Sequence, residues 1–131
     1  MFNEMLAMNS GGGESSGILV QEGEITLPAS GTVTEPLDFE PDYLRVYPIF
    51  PLTATYAIES IYTKLPDGFG GTRKSAQYKT YTNGSDTYTT DASNLPLNAW
   101  GRLKDVSSNS FTHNYYDTSE QTLKYIALKW T

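Results

Sequence analysis

The sequence predicts an all-β domain, an antiparallel β-sandwich or jelly-roll of about eight to nine short strands with a flexible N-terminal arm. Aromatic residues make up 13% of the 131 residues, and tyrosine accounts for 10 residues. Tyrosine suits half-exposed sheet faces because its ring is apolar and its hydroxyl is polar. Short β-branched and aromatic runs alternate with glycine and proline turns, and no segment after the arm has a useful helical period. This length fits one domain with a real core.

Residues 1–17 are predicted to form an anchoring arm and linker, and residues 18–131 the β-sandwich domain. Met1–Met8, MFNEMLAM, is apolar and rich in methionine, whereas Asn9–Gly17, NSGGGESSG, has the composition of a flexible linker. Methionine adapts to irregular grooves, so we expect the arm to dock on another protein. The alternative is a frayed terminus of no consequence. The predicted docking side chains are Phe2, Met5, Leu6 and Met8.

The first strands are separated by short turns. Glu24–Leu27 and Gly31–Thr34 flank a turn that follows a proline, which predicts a hairpin. After an acidic crossing bounded by prolines, Tyr43–Tyr47 resumes an extended pattern. Its alternation places Leu44 and Val46 on the face opposite to Tyr43, Arg45 and Tyr47.

Two segments define the middle of the chain. Thr53–Thr63 is the longest β-type run, but Ile61 falls on the opposite parity from Ile58. This switch predicts either a bulge near Glu59-Ser60 or a strand covered on both sides. Asn83-Gly84 is a standard hairpin turn, and we expect its polar, aromatic arms to project from the body or to pack against another copy.

The last predicted strand, Gln121–Trp130, is apolar on both faces. One face carries Leu123, Tyr125 and Ala127, and the other carries Ile126, Leu128 and Trp130. Such a strand is either central in its sheet or half covered by a partner. The candidate oligomer interface consists of Tyr125, Ile126, Leu128 and Trp130.

The charge distribution argues against a nucleic-acid partner, because the net charge is −6 and the basic footprint is missing. The first 63 residues hold nine acidic residues and one basic residue, whereas the rest of the chain holds eight basic and six acidic ones. This asymmetry favours a solvated acidic face, because exposed charges contribute little, and the alternative is head-to-tail docking between copies or docking on a basic partner. No stretch approaches the roughly 18 apolar residues of a membrane span, so no membrane contact is expected.

Catalytic and metal chemistry have few candidates in this sequence. His113 is the only histidine, and Asp117 would lie roughly 13 Å along the strand, which does not fit a Ser-His-Asp triad. We therefore expect His113 at the surface or in an interface. Asp38, Glu40 and Asp42 could gather around Ca²⁺, but flanking prolines and the missing EF-hand spacing favour a solvated turn. Without cysteine as well, we expect no metal site, no cofactor and no enzymatic activity.

Aromatic side chains suggest a further kind of contact, because their faces can stack on sugar rings. The alternative is that they belong to the core or to a subunit interface. The candidate sugar-contact residues are Trp100, Tyr115 and Tyr116, with Tyr88 as a further candidate.

Two segments resemble parts of bacteriophage virion proteins. Asp38–Tyr47, DFEPDYLRVY, is similar to their G/D-F-x-P-x-x-(L/V/I)-x-V-Y pattern, and Tyr125–Leu128, YIAL, is similar to their closing strand. A short methionine-containing start before a glycine run also resembles small phage structural proteins. The resemblance implies a tail, fibre or capsid-decorating β-sandwich that is commonly trimeric and sometimes lectin-like and host-binding.

The predicted function is therefore a non-enzymatic phage virion protein. It would be located in the virion, form a homo-oligomer, expected to be a trimer, and dock on other virion proteins through Met1–Met8. The alternative is a carbohydrate-binding adhesion module that recognises a glycan on the host surface.

Overall fold

A computed structural model describes residues 17–28, 30–50, 52, 56–66, 70–82, 85–114 and 121–131. Among these residues there is no helix with the length and apolar character needed to cross a membrane. The strands are β1 (Ile18–Leu27), β2 (Thr32–Pro36), β3 (Tyr43–Pro48), β4 (Tyr56–Pro66), β5 (Thr72–Thr82), β6 (Ser85–Asn94), β7 (Leu103–Val106), β8 (Ser110–Asn114) and β9 (Gln121–Trp130).

The strands form two antiparallel sheets that pack against each other, which confirms the predicted all-β sandwich. The larger sheet has six strands in the order β1-β9-β3-β4-β5-β6, and the smaller sheet has three in the order β2-β8-β7. The smaller sheet covers one face of the larger sheet. We call the opposite face of the six-stranded sheet the outer face.

The core between the sheets is built from alternate residues of each strand, as the pleat requires. From the larger sheet it contains, among others, Ile25, Leu27, Leu44, Val46, Tyr62, Ala76, Tyr78, Leu123, Tyr125 and Ala127. From the smaller sheet it contains Leu103, Val106 and Phe111. Hydrogen bonds also join the layers, since Tyr78 Oη donates to the Leu103 carbonyl at 3.3 Å and the Leu103 amide donates to Ser60 Oγ at 3.2 Å.

The predicted hairpin between Glu24–Leu27 and Gly31–Thr34 is wrong. β1 pairs along its whole length with β9, from Ile18 opposite Trp130 to Leu27 opposite Gln121, whereas β2 pairs with β8. The ten-residue β1 finds in β9 a partner of equal length, which the five-residue β2 cannot provide. The turn between β1 and β2 therefore carries the chain from one sheet to the other.

β4 is covered on both sides as far as Ser60, whereas Ile61 is half-buried on the outer face. Ala57, Ile58, Glu59 and Ser60 are all buried, although successive side chains point to opposite faces. The register with β5 runs without a shift from Tyr56 to Pro66, so the bulge near Glu59-Ser60 is wrong. A register shift occurs instead between β5 and β6.

The hairpin predicted at Asn83-Gly84 is confirmed, since β5 and β6 pair antiparallel with Thr82 opposite Ser85. Its first arm does not project from the body. Tyr78 and Tyr81 of β5 are buried, with 1% and 9% of their surface exposed. Tyr78 lies between the sheets, where it contacts Leu103, and Tyr81 packs against Phe50 on the outer face. The tyrosines that suggested a protruding surface therefore belong to the body of the domain.

The faces of β3 and the position of β9 follow the sequence pattern. Leu44 and Val46 are fully buried, whereas Tyr43, Arg45 and Tyr47 on the opposite face are half-buried. β9 lies between β1 and β3, so it is a central strand of the larger sheet. This confirms the first of the two explanations for its apolar faces.

Candidate interaction surface

Five rows of side chains cross the outer face, because residues that pair across neighbouring strands share a face of the sheet. The fifth row holds Thr26, Thr122, Ala57 and Tyr81. The first four rows are given in the strand order β1, β9, β3, β4, β5, and β6 continues the sheet beyond β5. The first row holds Ile18, Trp130, Leu65 and Arg73. The second row holds Val20, Leu128, Tyr43, Thr63 and Ser75. The third row holds Glu22, Ile126, Arg45, Ile61 and Gln77. The fourth row holds Glu24, Lys124, Tyr47, Glu59 and Lys79.

One end of the outer face is apolar. Trp130 is 54% exposed and Leu65 is 42% exposed, which is unusual for side chains of this size. Half-buried aliphatic and aromatic side chains join them into one patch. We call this patch the apolar end, and it consists of Ile18, Val20, Tyr43, Ile61, Leu65, Ile126, Leu128 and Trp130.

The exterior of the smaller sheet is polar along β2, in contrast to the apolar end of the larger sheet. Thr32, Thr34 and Pro36 point outward and are exposed, and Thr34 and Thr112 are hydrogen-bonded across β2 and β8 at 3.2 Å. A solvated sheet face normally carries such short polar residues opposite the buried ones. The apolar end therefore differs in composition from a solvent-exposed sheet face of the same molecule.

A buried carboxylate lies in the fourth row. Glu59 is 3% exposed, Arg45 Nε donates to its Oε2 at 2.6 Å, and Tyr81 Oη donates to its Oε1 at 2.7 Å. The Arg45 guanidinium also lies over the Tyr47 ring at 4.2 Å, and Phe50 packs edge-on against Tyr81 at 5.1 Å. Both carboxylate oxygens are thus satisfied, as burial of this charge requires.

The same network perturbs the Arg45 guanidinium. The hydrogen bond to Glu59 raises the pKa of Arg45, and this outweighs the opposing effect of burial. A guanidinium held charged by a buried carboxylate stays in place instead of sampling solvent. The arrangement joins β3, β4 and β5 at the centre of the outer face.

Charges lie on the two strands that flank β9, β3 and β4 on the outer face. Glu22 and Glu24 on β1 form an acidic margin of this five-strand region, and Arg73 and Lys79 on β5 form a basic one, beyond which β6 continues the sheet. Beside the acidic margin is a shallow depression of about 250 Å³. It is lined by Glu22, Gly23, Glu24, Tyr47, Lys124 and Tyr125.

The predicted oligomer interface divides between the two faces of β9. Ile126, Leu128 and Trp130 lie on the outer face in the apolar end. Tyr125 lies on the inner face of β9, so its predicted place in the oligomer interface is wrong. Its side chain is 3% exposed within the sandwich, receives a hydrogen bond from Gln21 Nε2 at 3.1 Å and donates one to Glu35 Oε2 at 2.9 Å. Burial, above all, raises the pKa of Tyr125 to about 12.

The predicted docking residues Phe2, Met5, Leu6 and Met8 lie outside the described residues. The same is true of the sugar-contact candidates Tyr115 and Tyr116 and of the Tyr88 side chain. Trp100 is described, and it is 41% exposed. Its ring stacks on that of Tyr56 with centroids 5.8 Å apart and an interplanar angle of 29°.

His113 is fully buried, so the expected surface or interface position is wrong. β8 is the middle strand of the smaller sheet, and His113 pairs there with Val33 on one side and Leu103 on the other. Nδ1 lies 2.7 Å from the Asn114 carbonyl, which makes it the protonated nitrogen, and Nε2 has no hydrogen-bond partner among the described residues. Burial lowers the pKa of His113 to about 4.

The acidic turn has a structural role in the described part of the chain. Asp42 accepts a hydrogen bond from the Trp130 amide at 2.9 Å, and Lys64 Nζ lies 3.5 Å from Asp42 and 3.8 Å from Glu40. The Asp38 amide donates to Gln21 Oε1 at 2.8 Å. Among the described residues, no group of three or more histidine, aspartate or glutamate side chains is placed to hold a metal ion.

Sequence reasoning missed the Arg45–Glu59–Tyr81 network. The signal was present, because Glu59 is the one charged residue in the run TATYAIESIYT. Buried carboxylates need partners, and those partners come here from the two neighbouring strands. The sequence gives no distance between such strands, so the network could not be assembled in advance.

Comparison of the chain with protein-family models, with curated proteins and with solved structures gave no significant match.

Proposed function

We propose that this chain is a structural subunit of a bacteriophage particle, which assembles with copies of itself and with other virion proteins and catalyses no reaction. The observation that carries this proposal is the apolar end of the outer face. Its eight side chains form one patch around an exposed tryptophan, on a sheet whose inner face is already packed. Contiguous exposed apolar patches on soluble domains mark surfaces that other macromolecules cover.

The polar features of the domain also favour a structural role. Glu59 and Arg45 neutralise each other, and Asp42 holds Lys64 and the end of β9. These charged groups join neighbouring strands and so contribute to the stability of the domain, as a structural subunit requires. The resemblance of Asp38–Tyr47 and Tyr125–Leu128 to virion proteins supplies the setting, and it also suggests a trimer.

The N-terminal arm is the proposed attachment to other virion proteins. Deleting residues 1–13 should leave a folded oligomer that no longer joins particles. Assembly of the truncated chain into particles at the level of the full chain would show that the arm has no docking role.

The proposal as a whole is tested on particles of a phage whose genome encodes this chain. Mass spectrometry of purified particles should find the chain at a fixed ratio to the major capsid protein, and cryo-EM should place its sandwich on the particle. Its absence from purified particles, with the chain present in the infected cell, would refute the structural role.

Trp100 supports a second candidate, the carbohydrate-binding adhesion module. An exposed indole supported from behind by Tyr56 is a suitable platform for stacking a sugar ring. Trp100→Ala should abolish binding on a glycan array, while Trp130→Ala, which removes an equally large exposed ring from the outer face, should not. An array without signal for the unaltered chain would remove this candidate.

A further inference from the structure

We propose that the outer face pairs with the outer face of a second copy, about a two-fold axis that runs along β3. This inference deepens the proposed function and rests on it for the premise that the chain self-associates. The occupant is a second copy because the outer face from β1 to β5 is complementary to itself, while β6 lies beyond the paired region. Acidic and basic margins flank an apolar centre, and β3 lies at equal distance from the two margins.

The position of the axis follows from the strand order. In the order β1-β9-β3-β4-β5, rotation by half a turn about β3 places β1 of one copy over β5 of the other, and β9 over β4. Rotation about an axis parallel to the strands leaves each row opposite the same row of the partner copy. The first four rows therefore define which side chains face each other across the interface.

Within those rows, two contacts bring apolar side chains together, whereas Ile18 faces Arg73 and Leu128 faces Thr63. In the first row, Trp130 of one copy faces Leu65 of the other, and these are the two most exposed members of the apolar end. In the third row, Ile126 faces Ile61. Both contacts occur twice, since a two-fold axis repeats each contact.

The charged margins also match. In the fourth row, Glu24 of the acidic margin faces Lys79 of the basic margin. Arg45 lies on the axis and would meet its own copy, but each guanidinium is already neutralised by Glu59 and stacked on Tyr47. A perpendicular axis would instead set β1 against β1 and bring the acidic margins together, which like charges oppose.

The size of the outer face suits a stable pair. Five strands about 4.8 Å apart and the first four rows about 6.7 Å apart cover roughly 650 Å² on each copy. Two such faces exceed the total of about 1,000 Å² that separates specific interfaces from weak encounters. A face that is complementary to itself closes at two copies, so the trimer implied by the resemblance would need a different surface.

The experiment measures self-association of the full chain by light scattering and sedimentation over a range of concentrations. The full chain should form dimers, and Trp130→Asp should weaken dimerisation by about a hundredfold, because it places a charge against Leu65. Thr34→Asp, which adds the same charge to the outer face of the smaller sheet, is the matched control and should leave the dimer intact. Circular dichroism verifies that both variants are folded.

Charge reversal tests the axis itself. Glu24→Lys and Lys79→Glu should each weaken the dimer about tenfold, since each reversal acts at two symmetric contacts. The double variant should restore the affinity of the unaltered chain to within about threefold. A monomer at micromolar concentrations, a trimer, or a double variant no stronger than the single ones would each overturn the two-fold pairing.

Failure of this inference and failure of the proposed function give different results. A chain found in particles but insensitive to these reversals is a virion protein that assembles through another surface. A chain that forms the predicted dimer but is absent from particles uses the interface outside a virion.

Discussion

Protonation of His113 should control the stability of the sandwich in mildly acidic solution. The ring is fully buried in the smaller sheet, and burial lowers its pKa to about 4 from the ordinary value of 6.5. The unfolded chain therefore binds a proton on His113 at a higher pH than the folded chain does. Because the unfolded state holds more protons between the two values, the free energy of unfolding should rise with pH through this window.

The size of the effect follows from the two pKa values. Above pH 6.5 the stabilising contribution of the neutral ring is fully present, and it is lost as the pH falls toward 4. The slope is about 1.4 kcal/mol per pH unit for one proton, so the loss between pH 7.5 and pH 4.5 is about 2.5 kcal/mol. Such a loss is a large fraction of the stability of a small domain.

Denaturant unfolding followed by tyrosine and tryptophan fluorescence measures this dependence at a fixed protein concentration. His113→Leu should flatten the pH profile above pH 4.5, whatever it does to stability at neutral pH, because the chain has no other histidine. Thr34→His places an imidazole on the exposed face of β2 and should add no slope. An unaltered chain with a flat profile, or a His113→Leu variant that keeps the slope, would refute the reasoning.

Further predictions concern packing and the buried ion pair. Gly23→Ala should destabilise the fold by about 1–3 kcal/mol, because a Cβ at this position would lie 2.8 Å from the Tyr125 ring. The ring cannot easily move away, since its hydroxyl is hydrogen-bonded to Gln21 and Glu35. The midpoint of denaturant unfolding reports the loss of stability, and an unchanged midpoint would contradict the close approach. Glu59→Ala should lower the free energy of unfolding by about 2 kcal/mol, less than for a fully buried pair because the Arg45 side chain is 37% exposed. Lys64→Ala removes only longer ion pairs near the surface and should lower the free energy of unfolding by less than about 1 kcal/mol in the same measurement. Equal losses for Glu59→Ala and Lys64→Ala would show that burial does not set the strength of these ion pairs.

The faces of individual strands could be predicted from the sequence. In β3, small and large apolar residues alternate with tyrosine and arginine, so the two-residue period identifies the buried side without any partner. The all-β class followed in the same way, from local composition and turns. These features depend on neighbours in the chain, and a sequence contains that information directly.

Pairing between distant strands could not be predicted in this way. The sequence places β1 next to β2, and a short turn between two runs normally indicates a hairpin. The structure pairs β1 with β9, more than ninety residues away, along the full length of both strands. The surface position predicted for His113 was wrong for a related reason. The burial of His113 depends on the packing of the smaller sheet against the larger one, and the local sequence of β8 does not contain that information.

The apolar residues on both faces of β9 had two explanations in the sequence, a central position in the sheet or cover by a partner. The structure shows the central position, and it leaves one face of the strand without a covering layer in this chain. A central position satisfies the edges of a strand through hydrogen bonds to β1 and β3, but it does not cover its faces. In an antiparallel sandwich, a central strand still has one side turned to solvent unless a further layer covers it. β4 illustrates the difference, because Phe50 and Tyr81 cover the outer face beside Glu59. At Trp130 the outer face remains exposed, and the dimer proposed above would place Leu65 of a second copy opposite it.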